Sequence, residues 1–344
     1  MKPIDCRSLG WSDYFEGARR QAARPDLLPA RIIADHSGSF RIDGATGPTT
    51  ARLGACPPPC VGDWVLAEPP VGNERARIEV SLVRRTELVR QAAGRRTQRQ
   101  TVAANIDVVF VVTDMCDDFN LRRLERYIAA VHAGGATPVI VLNKADLTPD
   151  RQGRFTRQLD PGWPVVVSSA ILDLGIEELR AHLGRGRSAG FVGSSGVGKS
   201  SLVNALMGRA EQAVNHKAAD GRGQHTTTHR QLVVLPDDDG VLIDTPGMRE
   251  LALWEGSGVE KVFAELEDLA LTCHFRNCRH AEEPGCALRS AVEAGELEEG
   301  RLHNWLGLRR QAARQAARRD VVRQRREAKV NAKRIRAAQR SRRD

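Results

Sequence analysis

The sequence predicts a multidomain chain: a small all-β barrel or sandwich first, then an α/β domain with a mainly parallel sheet, then a mainly helical segment with a basic tail. Three observations carry this reading. Short β-like runs broken by Gly and Pro fill residues 31–88. Continuous apolar runs alternate with helical stretches through residues 102–255. A Cys/His cluster lies within residues 256–306, and residues 307–344 hold 15 Lys and Arg against 3 Asp and Glu. A length of 344 residues suits two or three domains.

Taken in order, residues 1–30 are polar, contain Pro25 and Pro29, and are expected to form a poorly ordered extension. RIIAD, SFRID, GDWVLAE and RARIEVSLV then supply short strands, whereas the loop GACPPPCVG (54–62) cannot be a central strand. Residues 89–101 read as a basic linker. The apolar runs IDVVFVVT (106–113) and PVIVL (138–142) read as strands buried on both faces, with a helix from about Asn120 to Ala133 between them. WPVVVSS, GFVG, QLVVL and GVLID add further strands.

Charge and composition narrow the function. The whole chain carries 52 basic and 43 acidic residues, but residues 1–306 carry 37 and 40, so the positive excess sits in the tail. Such a tail suggests an anionic polymer as partner, and its few large apolar residues favour nucleic acid over a lipid surface. Aromatics are only 4% of the chain, so RNA contacts should be mainly to phosphate, with Phe40 and Trp64 as the candidates for stacking. No apolar run reaches ~18 residues, which excludes a transmembrane helix. The N-terminal residues lack the apolar core of a secretory signal, so a cytoplasmic location is expected. Seven cysteines at irregular spacing then point to metal rather than disulfides.

Gly193-Ser194-Ser195-Gly196-Val197-Gly198-Lys199-Ser200 follows a short strand and opens a helix. The glycines let the backbone curl its N–H groups toward phosphate oxygens, and the helix N-terminus adds its positive dipole end. Lys199 is placed for the β- and γ-phosphates, Ser200 for Mg²⁺, and Ser201 lies beside it. Asn143-Lys144-Ala145-Asp146 follows a buried strand. A carboxylate at Asp146 accepts from N1–H and the exocyclic amine of guanine, while adenine would leave it unpaired. Asn143 can bond the other edge of the base and the Lys144 stem can cover its face. Ser168-Ser169-Ala170 resembles a loop offering a backbone N–H to guanine O6, with Ser168 and Ala170 as the contacts.

Asp244-Thr245-Pro246-Gly247 ends a strand, where Asp244 can hold Mg²⁺ through water and the Gly247 N–H can sense the γ-phosphate. His225-Thr226-Thr227-Thr228 lies where a loop supplies a Thr hydroxyl to Mg²⁺, from Thr227 or Thr228. After D-x-x-G a water-orienting Gln is missing and Met248 stands there, so intrinsic turnover should be slow. His225 is the nearest group that could supply the missing function. Cys273, Cys278, His280 and Cys286 form a complete tetrahedral set within 14 residues, which means a closed, structural zinc site.

The motif order is NKAD, SSA, phosphate loop, HTTT, DTPG, a complete set in rotated order. With VGDWV, ANIDVVFVV and GSSGVGKSSLVNAL, the chain resembles the circularly permuted GTPases of the RsgA (YjeQ) type over residues 31–306. The resemblance implies an N-terminal OB-fold, a permuted P-loop GTPase domain and a C-terminal zinc domain. It further implies hydrolysis of GTP to GDP on the small ribosomal subunit and its rRNA during late maturation, stimulated by that subunit; a monomer is expected. The rival reading, for which Met248 leaves room, is a GTP-gated rRNA-binding scaffold in which hydrolysis is incidental.

Overall fold

The computed structural model describes residues 5–36, 38–72, 74–91, 99–149, 152–159, 162–208, 230–244 and 257–317. The chain divides into two units, residues 1–252 and 253–344.

The first unit begins with five strands: β1 (Leu28–His36), β2 (Ser39–Gly44), β3 (Thr49–Leu53), β4 (Trp64–Glu68) and β5 (Ala76–Ser81). Their neighbours run β1-β2-β3-β5-β4, and β4 pairs back onto β1, so the strands close into a barrel. Closure removes the free sheet edges. Residues 5–30 are not a loose extension. Helix α1 (Asp13–Gln21) buries Phe15, and Trp11 and Phe15 lie 4.8 and 5.8 Å from the Trp64 ring. Trp64 and Phe40 are therefore core residues, and neither offers a face for stacking. Only the two ends of the expected linker fall in strands: β6 (Glu87–Gln91) and β7 (Arg99–Ala104) pair antiparallel, and residues 92–98 lie outside the described residues.

The α/β part uses β8 (Val108–Asp114), β9 (Thr137–Asn143), β10 (Val165–Val167), β11 (Ser188–Val192), β12 (Arg230–Val234) and β13 (Val241–Asp244). Their order is β10-β9-β8-β11-β13-β12, parallel except for β12. All seven residues of β8 and all five of β11 are buried, which is why residues 106–113 read as an apolar run. Helices α2 (Leu121–Ala133), α3 (Gln152–Thr156), α4 (Ile176–Ala181) and α5 (Lys199–Met207) connect the strands. Asn120 caps α2 by accepting from the Arg123 N–H. Leu179, Leu202 and Leu206 pack with Phe110 and Phe191 in one core cluster.

The barrel and the α/β sheet share hydrogen bonds. The second half of β1 pairs with β12, at Ala34–Gln231 and Asp35–Arg230, so eleven strands are continuous. Arg31 of β1 is 1% exposed. Its guanidinium donates to the carbonyls of Leu9, Gly62 (3.2 Å) and Asn105 (2.9 Å) and to Ser188 Oγ (2.9 Å). Ser188 opens β11, so one side chain joins N-terminal segment, barrel and phosphate-loop strand. Burial pulls the Arg31 pKa down to about 10, opposed by Asp107 and Asp63.

In the second unit, α6 (Ser257–Val262), α7 (Ala264–Ala270), α8 (Ala287–Glu293) and a helix over residues 299–317 pack around Phe263, Leu266, Leu288, Leu302 and Trp305. The basic tail is thus helical through residue 317, and the rest of it lies outside the described residues. Among the described residues, no helix is long and apolar enough to cross a membrane.

Arg31→Met should leave several buried acceptors unpaired. The expected cost is about 3 kcal/mol, read as a lower urea midpoint with the slope unchanged. An unchanged midpoint would show that the barrel junction does not depend on this side chain.

Candidate functional site

Three loops meet at the C-terminal ends of the parallel strands, the edge where open α/β sheets bind ligands. The first follows β11. Gly193, Gly196 and Gly198 all have left-handed backbones, with φ of 142°, 84° and 94°. A Cβ at Gly193 would strike the Val112 carbonyl, and one at Gly198 would strike the Asn143 amide. Glycine is therefore required for conformation and for close approach alike. Lys199 opens α5 and its ammonium donates to the carbonyls of Gly193 (2.9 Å) and Ser194. Ser195, Ser200 and Ser201 are exposed, and Val197 is buried beneath the loop.

The second loop follows β9. Asn143 is 2% exposed, its Nδ2 donates to the Val197 carbonyl (2.8 Å), and its Oδ1 accepts from Ser168 Oγ (3.1 Å). Its amide ties the phosphate loop to the third loop, using one of its two N–H hydrogens. Lys144 adopts a left-handed backbone, φ 63°, and its ammonium meets Asp114 Oδ2 at 2.8 Å. Burial works against the charge on Asp114, but the Lys144 hydrogen bond and the Asp118 and Cys116 N–H groups hold its pKa below the usual carboxylate value.

The third loop follows β10. Ser168 was expected to offer its N–H to a base, but that N–H donates to the Leu142 carbonyl at 2.9 Å, so Ser168 is structural. Ser169 is the member of the pair that meets the second loop: its Oγ donates to Asp146 Oδ1 at 2.6 Å and accepts from the Leu172 N–H. Ala170 lies beside it, partly buried against the core cluster. The structure thus brings together residues 193–200, 143–146 and 168–170. Asp244, exposed, ends β13 on the same edge. His225, Thr227, Thr228, Gly247 and Met248 lie outside the described residues.

Sequence reading missed Asp114 and Ser169. A signal for Asp114 existed: it is a charged residue ending an apolar parallel strand, as Asn143 does on β9. Ser169 could not be told from Ser168 without the register of the loop.

A family model described as RsgA GTPase matches residues 81–254. The small ribosomal subunit biogenesis GTPase RsgA of Opitutus terrae is 40% identical over 337 residues, covering 92% of each chain. The chain belongs to the RsgA GTPase family. As a family member it is a GTP hydrolase. The crystal structure of YjeQ from Thermotoga maritima matches with a TM-score of 0.62 and 27% identity, covering 83% of this chain and 99% of that one. YloQ, a circularly permuted GTPase, shares the fold with a TM-score of 0.60 at 22% identity, over 84% of this chain and 96% of that one. The RsgA architecture is thus an N-terminal five-stranded barrel, a permuted GTPase domain and a C-terminal helical region.

That helical region carries the Cys/His cluster. The ligand atoms of Cys273, Cys278, His280 and Cys286 lie within 4.8 Å of one another. His280 sits at φ 58°, a left-handed turn that aims its ring inward, and its Nδ1 is 3.6 Å from the Sγ of both Cys273 and Cys286. The Trp305 ring packs against His280, with centroids 5.3 Å apart and planes tilted by 50°, and its Nε1 donates to Glu267 at 2.8 Å. Burial and the neighbouring thiols push the Cys278 thiol up to about 11. Three crowded sulfurs and one imidazole, on a backbone turn that fixes them, fit a tetrahedral divalent cation with no open position.

Stripping the intact chain with a strong chelator should release one equivalent of divalent metal and expose residues 257–317 to protease. Cys278→Ser should purify without that metal. If the variant keeps both full metal content and protease resistance, the four residues are not a ligand set.

Proposed function

We propose that this chain hydrolyses GTP on the small ribosomal subunit, which stimulates turnover during late maturation of that subunit. The meeting of the three loops at one sheet edge carries the GTP assignment. The printed function of the Opitutus terrae relative supports the choice of subunit.

In this reading the N–H groups of residues 193–198 cradle the phosphates, and Lys199 exchanges its loop carbonyls for phosphate oxygens. Asp146, oriented by Ser169, accepts from the guanine edge, and Ala170 faces O6. Ser200, Thr227 or Thr228, and Asp244 through water are the oxygen donors for Mg²⁺, and Ser201 extends the same helix turn. Mg²⁺ bound with GTP neutralises charge on the β- and γ-phosphates. Gly247 senses the γ-phosphate. His225 takes the water-orienting role that Met248 cannot fill. The metal of Cys273, Cys278, His280 and Cys286 is zinc, with a structural role. Docking on rRNA rests on phosphate contacts from the arginines of residues 89–101 and from the tail, because the barrel aromatics are buried. The protein works as a cytoplasmic monomer.

Two experiments test this reading. GTP turnover should rise at least tenfold with small subunits, not with large ones, and the rise should fade at high salt. His225→Ala should abolish most of that stimulation; a fully stimulated variant would remove His225 from the mechanism. In the second, Asp146→Asn presents an amide to the base edge, so preference should move from GTP to XTP by about a hundredfold or more. An unmoved preference would place the base elsewhere.

A further inference from the structure

We infer that Asp114 is a positioning residue for nucleotide binding: by holding the Lys144 ammonium, it lays the Lys144 side chain across the mouth between the phosphate loop and Asp146. The inference rests on the reading that a purine occupies that mouth.

The placement follows from the sheet. β8 lies between β9 and β11, so its C-terminal residue sits between the Asn143–Asp146 loop and the phosphate loop. Asp114 is that residue, and it pairs across the ladder with Asn143. Lys144 follows the last residue of β9, and its left-handed backbone turns the chain sharply at the strand end. Its side chain then reaches over the neighbouring strand to Asp114 Oδ2, 2.8 Å away. A lysine spanning from β9 to β8 crosses the space between base and phosphate determinants.

Asp114 is itself fixed before any ligand arrives. It is 6% exposed, and its Oδ1 accepts from the N–H groups of Cys116 (3.1 Å) and Asp118 (3.0 Å). One carboxylate oxygen is held by the backbone and the other holds the lysine. A lysine has four rotatable side-chain bonds, and without an anchor a ligand would have to order them on binding. The anchor removes that cost in advance. The effect should be blind to the base's hydrogen-bonding edge, because Lys144 meets the face of the ring and Asp146 meets the edge.

The test is calorimetric titration of the full chain with GDP and with IDP, which lacks the exocyclic amine. Asp114→Asn and Asp114→Ser both keep an acceptor for Cys116 and Asp118 but cannot pair with the lysine. Each should weaken both ligands about tenfold, as expected for loss of a charged hydrogen bond, with the GDP/IDP ratio unchanged. In a Lys144→Ala background, the same Asp114 changes should have less than about a twofold effect, the mark of coupling through the lysine. Unaltered affinity in both variants would overturn the inference. So would an equal loss in the Lys144→Ala background, which would assign Asp114 to the folding of residues 115–120. Failure of the underlying site assignment is read separately: Asp146→Asn would then leave GTP over XTP preference unmoved.

Discussion

The candidate site depends on one buried amide. Asn143 is almost fully buried, so both ends of its side chain call for protein partners. The Val197 carbonyl and the Ser168 hydroxyl are those partners, one on each side. The consequence is geometric. Phosphate loop, base loop and the loop after β10 cannot shift independently, because each shift would strand a buried polar group. The glycine at 198 is part of the same constraint, since a side chain there would displace the amide.

Arg31 plays a comparable part between barrel and sheet. Carbonyls from Leu9, Gly62 and Asn105 converge where apolar packing alone would leave them unpaired, and one planar guanidinium answers all three. Because it also meets Ser188, the strand that leads into the phosphate loop is referenced to the barrel. The sheet continuity through β1 and β12 gives the same two bodies a second connection.

Much of this was legible in the sequence where local chemistry dictates structure. Unbroken apolar runs announced β8 and β9, the glycine pattern announced the loop after β11, and cysteine spacing announced the cluster of Cys273, Cys278, His280 and Cys286. What was hidden is set by tertiary partners. Asn143 looks like a base contact by motif, and the motif does not reveal that its amide also bridges the Val197 carbonyl and the Ser168 hydroxyl. Polar residues 5–30 looked loose, yet Trp11 and Phe15 are spaced to cover Trp64, a contact that exists only once the barrel closes. Arg31 stands in the run RIIAD, and its partners at Leu9, Gly62, Asn105 and Ser188 are all distant in sequence. The segment 89–101 hid a strand pair because Arg and Gln mask its alternation.

The rotated strand order also bears on how the domain is made. Synthesis delivers β8, β9 and β10 first, as a three-stranded parallel half-sheet whose edge is β8. All seven residues of that edge are buried in the finished fold, and its final neighbour β11 begins only at Ser188. Until that point the nascent chain presents an apolar, unpaired strand, the kind of surface that recruits wrong partners. The barrel, already complete by Ser81, precedes it on the same chain. An N-terminal body that folds early is therefore a tether beside the exposed edge, and the late arrival of the phosphate-loop strand is the step that seals the sheet.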